Sequence, residues 1–158
     1  MQRREFKKRT APRDASSLKV GIVVSRFNED ITSQMLAGAR SVLKKWRVKE
    51  RNISIMHTYG SFEVPLACQR LIKKRRVDTV VAIGCIIKGE TSHNVYLGHA
   101  AAQGLMRVML DTGIPIGFGI ITTNTLAQAK GRASGEHNHG AKAAIAALEL
   151  ALDLKINT

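Results

Sequence analysis

At residues 88–93 the chain reads Lys-Gly-Glu-Thr-Ser-His, between an apolar run and a long stretch of small residues, "IIKGETSHNVYLGHAAAQG". An apolar run that stops at glycine and resumes with helical character reads as a strand handing over to a helix. Gly89, Glu90, Thr91 and Ser92 then fall at a helix N-terminus. Unpaired N–H groups and the helix dipole favour an anion such as phosphate there. Gly89 lets the main chain turn sharply and approach a ligand. His93, read as one turn inside the helix, carries a group suited to proton transfer near neutral pH. An ordinary capping turn with an exposed histidine fits the same residues.

Three further places carry comparable chemistry. Phe27 follows Arg26 just past an apolar run, which suits either a platform for a flat heterocycle or a hydrophobic staple to the next helix. Ser61, Phe62 and Glu63 form a turn into a helix, where Glu63 suits a cap or a polar ligand. Phe118 lies within a strand pattern that ordinarily means core. Arg132, after a short helical stretch, has the reach and charge for a phosphate, as does any solvated arginine. The histidines at 57, 99, 137 and 139 have no structural-zinc spacing around them.

These residues need elements to position them. Residues 18–25, 52–59, 78–87 and 114–122 read as strands, the third apolar almost throughout, as in a strand covered on both faces. Helical patterns fill 26–46, where Ile31, Met35, Ala39, Val42 and Trp46 recur, and 63–76, with Pro65 in its first turn. Others span 92–112, closed by Gly113, then a short stretch that Asn124 caps, and 141–155. Residues 134–140 read as a loop. Alternating strands and helices predict a single α/β domain. Its four-stranded, mostly parallel sheet carries helices on both faces in a three-layer, flavodoxin-like arrangement. The domain spans 18–158, behind a polar, basic, mobile arm at 1–17. Ligands of such sheets bind beyond the carboxyl ends of the strands, which selects 25–28, 59–63, 87–93 and 122–125.

The formal net charge is +13, of which +5 falls in the first 13 residues and +8 in the rest. A basic surface suits nucleic acid, an anionic membrane or an anionic small substrate. Only 4% of the residues are aromatic, and no helix-turn-helix or RNP pattern occurs, which argues against nucleic acid as a partner. No 18-residue apolar stretch or secretory signal is present, so no membrane span is expected. Cys68 and Cys85, both in apolar segments, read as buried thiols in a reducing, cytoplasmic setting.

The stretches "SRFNEDIT", "GSFEVPLA", "AIGCIIKGETSH", "FGIITTNTLAQAKGRA" and "HGAKAAIAALEL" together resemble the 6,7-dimethyl-8-ribityllumazine synthases, from about Leu18 to Leu154. The resemblance implies a transferase of riboflavin biosynthesis that condenses 5-amino-6-(D-ribitylamino)uracil with 3,4-dihydroxy-2-butanone 4-phosphate, using neither metal nor organic cofactor. It implies that Phe27 stacks on the pyrimidine, that Ser61, Phe62 and Glu63 hold the ribityl chain and ring edge, and that Cys85, Ile86 and Ile87 offer main-chain contacts. Phe118 of a neighbouring subunit closes the pocket, Glu90, Thr91 and Arg132 take the phosphate, and His93 carries protons. His139 stands where the family has a lysine before the last helix, a candidate phosphate-side cation. Asn94 and Val95 replace the family's aromatic and acid after His93.

The resemblance also implies a homopentamer, with riboflavin synthase as a candidate partner. Only six residues, 133–138, separate Arg132 from His139, without the insertion of pentamer-only relatives. The resemblance therefore implies a pentamer at minimum and leaves a decamer or a shell of about 60 subunits open. A helix rich in small residues, with Gly98, Ala100, Ala101, Ala102 and Gly104, fits packing against copies of itself.

Overall fold

The structure, a computed structural model, describes residues 11–156. Its elements run β1 (Val20–Ser25), α1 (Glu29–Lys45), β2 (Ile53–Thr58), α2 (Val64–Arg75), β3 (Thr79–Ile87), α3 (His93–Thr112), β4 (Ile116–Thr123), α4 (Leu126–Ala133) and α5 (His139–Ile156). The four strands form one parallel sheet in the order β2-β1-β3-β4. The three-layer arrangement expected from the alternating pattern is what the chain adopts. Core residues of α1, α4 and α5 pack on one face with Ile22, Ile83 and Ile121. Those of α2 and α3 pack on the other with Val23, Ala82 and Ile120. Near-continuous burial along β3 follows from this double cover.

The α1/α5 layer sits unusually close to the sheet and to itself. Gly117 and Gly119 face α5, where a β-carbon on either would meet Ala143. Gly140, in the first turn of α5, lies against the carbonyl of Met35 on α1. An alanine-rich α5, with Ala143, Ala144, Ala147 and Ala151 buried, continues the same close approach.

Several boundaries differ from the pattern reading. Helix α5 begins at His139, because Asn138 tucks its side chain beneath it. The Asn138 Nδ2 donates to the carbonyls of Gln34 and Ala133, and its Oδ1 accepts from Ala141 N. Thr125, not Asn124, caps α4: its Oγ1 accepts from Gln128 N, while Gln128 Oε1 accepts from Asn124 N. The anticipated arm of 1–17 lies outside the described residues up to residue 10. From 11 to 17 the chain is laid on the domain. Ala15 is buried and donates to the Trp46 carbonyl, and Arg13 pairs with Glu149 and Asp153 of α5. Arg13 and Ala15 are what the charge pattern could not distinguish from solvated neighbours.

On α3, Gly98, Ala101 and Gly104 turn inward. A β-carbon on Gly104 would press on Pro65 of α2, and one on Gly98 would press on Thr122 of β4. Their smallness thus serves packing within the protomer. The outer face instead exposes Val95, Tyr96, Met106 and Leu110.

Gly140→Ala is expected to lower stability by about 1–3 kcal/mol, because backbone on both sides cannot yield. Gly131→Ala, in open space within α4, is expected to raise it by about 0.4–1 kcal/mol. Denaturant unfolding of the two variants checks both signs.

Candidate functional site

The strand order reverses direction between β1 and β3, and the loops diverge there. A cavity of about 490 Å³ opens at that point, lined by the loops after β1, β2 and β3 and the first two turns of α3. Its back wall exists because β3 outlasts β1. The β1–β3 pairing ends at Val24 and Ile83, yet β3 runs on to Ile87. Cys85 O accepts from Asn28 Nδ2 on the β1 side at 2.9 Å, whereas Lys88 N donates to Thr123 O of β4. Alternation along the strand therefore directs the main-chain groups of Cys85 and Ile87 toward the cavity and those of Ile86 toward β4.

After β1 the chain continues the ladder to the β2 side, with Arg26 N and Phe27 N donating to Thr58 O and Tyr59 O. This holds Phe27 at the rim, 58% exposed, with the Tyr59 ring 6.3 Å away and tilted 53°. Phe27 is a ring left open to a ligand rather than a staple buried against α1. Asn28 then turns the chain in the left-handed region, φ 58°, which asparagine tolerates better than most residues.

The loop after β2 is tied to itself. Gly60 N donates to Glu63 Oε2 at 2.9 Å and Thr58 Oγ1 to Gly60 O at 2.8 Å. Glu63 thus braces the loop instead of capping α2. Ser61 is buried against Gly84, where a β-carbon would collide with its hydroxyl, and Phe62 is left exposed.

After β3, residues 89–92 form the turn into α3, and His93 is its first helical residue rather than one turn inside. Thr91 Oγ1 accepts from His93 N at 3.4 Å, and Ser92 O accepts from Val95 N. Gly89, Thr91 and His93 line the cavity, with nothing within 4 Å of a β-carbon built at Gly89. Glu90 is exposed beside them but is not part of the lining.

The remaining sequence-nominated residues lie elsewhere. Phe118 sits opposite Ala82, five positions before Thr123, about 16 Å from the carboxyl end of β4, and its ring is exposed. Arg132, at the end of α4, is exposed, with one nitrogen near Gln128 O at 3.3 Å. His139 opens α5 among His137, Lys142 and Arg132. Burial first, and those three charges next, push its pKa below the ordinary histidine value. The nominated set therefore splits between the cavity, the exposed face of β4 and the connection from α4 to α5 of the same protomer.

Asn28, Tyr59 and Gly60, inside selected stretches but not nominated singly, also line the cavity, as do Asn94 and Leu97, which the sequence reading did not place there. Asn94 Oδ1 is buried and, among the described residues, has no hydrogen-bond partner. Helical spacing from His93 would have pointed to Leu97, one turn on. Burial raises the thiol pKa values of Cys85 to about 11 and of Cys68 to about 12, so both stay protonated. Among the described residues no three His, Cys, Asp or Glu side chains gather as a metal-binding group. No helix among them is long and apolar enough to cross a membrane.

A family model described as 6,7-dimethyl-8-ribityllumazine synthase matches residues 17–155 of the chain. The match spans every strand and every helix but the last residue of α5.

Asn28→Gly is expected to cost about 1 kcal/mol, through loss of the bond to Cys85 O alone. Asn28→Ala is expected to cost about 1–2 kcal/mol more, because alanine is strained in the left-handed region. Urea unfolding of the two variants separates the contributions.

Proposed function

Because the chain belongs to the 6,7-dimethyl-8-ribityllumazine synthase family, we propose that it condenses 5-amino-6-(D-ribitylamino)uracil with 3,4-dihydroxy-2-butanone 4-phosphate, releasing phosphate and water. The observation that carries the reading is one cavity in which an open aromatic ring, exposed strand main chain and a helix N-terminus bearing His93 converge. The pyrimidine lies on Phe27, with its edge polar atoms toward the main chain of Cys85 and Ile87. The ribityl hydroxyls run along residues 61–63. The phosphate sits at the start of α3, near Gly89, Glu90 and Thr91, where free N–H groups and the dipole favour it.

The chemistry follows from that placement. An amine of the pyrimidine attacks the ketone, and loss of water leaves an imine. Departure of phosphate, with proton removal, gives an enol that becomes a ketone. The second amine attacks this ketone and closes the ring with loss of another water. Holding the two reactants side by side supplies much of the acceleration. Proton transfer by His93 adds roughly 10²–10⁴-fold, and the helix N-terminus stabilises the leaving phosphate.

Phe118, Arg132 and His139 complete the site from an adjacent copy. The cavity opens where β1 and β3 diverge, whereas these three are not among its lining in their own protomer. Contact between two different surfaces of successive copies is head-to-tail, the kind that forms a ring when the rotation between copies closes. Exposed apolar residues on α3 support such an assembly. A ring of five, a shell of about 60 subunits and a riboflavin synthase partner rest on family likeness.

A two-substrate assay following lumazine fluorescence tests the reading, and absence of product would reject it. His93→Ala is expected to lower turnover about 10–10³-fold with folding intact. Arg132→Ala is expected chiefly to weaken the butanone phosphate. Co-assembled from equal amounts of the two variants, random mixing restores an intact site at about a quarter of the interfaces. A mixture no faster than either variant alone places both residues in one subunit's site.

The lowered pKa leaves His139 less protonated at neutral pH than an ordinary histidine, so its positive charge grows as the pH falls. Affinity for the butanone phosphate is expected to rise on acidification more in the native enzyme than in His139→Gln. His139→Lys is expected to gain on the order of tenfold at neutral pH and lose that dependence. Substrate titrations from pH 5 to 8, a range set by ordinary histidine titration, check this.

A further inference from the structure

The end of the sheet opposite the cavity is strongly basic. Helices α1 and α2 both finish there, α1 in Lys44 and Lys45 and α2 in Lys73, Lys74 and Arg75. Lys49 and Arg51 follow in the connection to β2, and Arg76 in that to β3. β2 and β3 start in register with Val20 of the strand between them, two strand spacings or about 10 Å apart. All eight side chains are exposed, and among the described residues none has an ion pair. The carboxylates of that end are already engaged: Asp14 by Arg47, Glu50 by Arg40, and Asp78 by Lys155 and the Lys19 amide. Residues 13–15 lie beside the same pole through the Ala15 bond to Trp46.

We propose that this basic pole binds nucleic acid through the phosphate backbone without reading the bases. The low aromatic content that argues against base stacking leaves such binding untouched, since phosphate contacts need only cations. No large apolar side chain is exposed within 44–51 or 73–76, so the pole lacks the wedge of a membrane-surface site. The cations that complement the α1 and α2 dipoles also stand where a duplex backbone can lie across both helix ends.

The test uses the full assembled chain and a fluorescent RNA duplex of arbitrary sequence. Affinity is expected to fall on the order of 10³-fold between about 50 and 200 mM salt, and to be equal for unrelated sequences. Two variants, one with Lys73, Lys74 and Arg75 changed to Gln and one with Lys44 and Lys45 changed to Gln, are each expected to bind about tenfold or more weakly with a shallower salt slope. Circular dichroism and lumazine turnover, read on the same samples, are expected to stay unchanged because the pole is remote from the cavity. Unaltered duplex affinity in both glutamine variants overturns the proposal. So does marked sequence preference, or binding to phosphatidylserine vesicles with none to the duplex.

Discussion

The site depends on β3 being longer than its neighbour β1. In a parallel sheet every interior strand has partners on both sides, and its main-chain groups are consumed by them. Where β1 stops at Ser25 and β3 continues through Cys85, Ile86 and Ile87, one side of the ladder is left without a strand. Asn28 takes one of those carbonyls from its left-handed turn. What is left faces the cavity. Because β4 still pairs through Ile87 and Thr123, the overhang remains rigid.

Close packing on the opposite face keeps that frame fixed. Helix α5 reaches the β4 backbone at Gly117 and Gly119, and the α1 backbone at Gly140. Trp46, Leu18 and Leu148 fill the same layer, nearly inaccessible to solvent. Interiors packed this tightly transmit strain and leave little room for slippage. On the cavity side Gly84 admits the Ser61 hydroxyl, so the loop after β2 and strand β3 interlock. Each loop that forms the cavity is thus tied to the sheet or to itself by a named contact.

Phe118, Arg132 and His139 stand apart from the cavity lining of their own protomer. A protein that used both in one reaction would have to bring copies together. That requirement agrees with an α3 whose inner face is closely packed while its outer face exposes Tyr96, Met106 and Leu110.

Helical and strand periodicities alone determined the element order, and the double burial of β3 was readable because it lacks polar alternation. Glu90, Thr91 and His93 were legible as a helix-start cluster, since glycine followed by polar residues after an apolar run has few other readings. Tertiary structure decided what local pattern cannot encode. The bond made by Asn28, inside a selected stretch, was not foreseen because it depends on a carbonyl 57 positions away in sequence. Glu63 braces a loop rather than a helix end because Gly60 turns back toward it. Arg13 and Ala15 belong to the fold through residues of α5 and the end of α1, although their neighbours are charged and polar. The inward turn of Gly98 and Gly104 follows from the placement of Pro65 and Thr122 on other elements. Periodicity reports which face of an element is apolar, whereas the partner on that face is set only when distant segments meet.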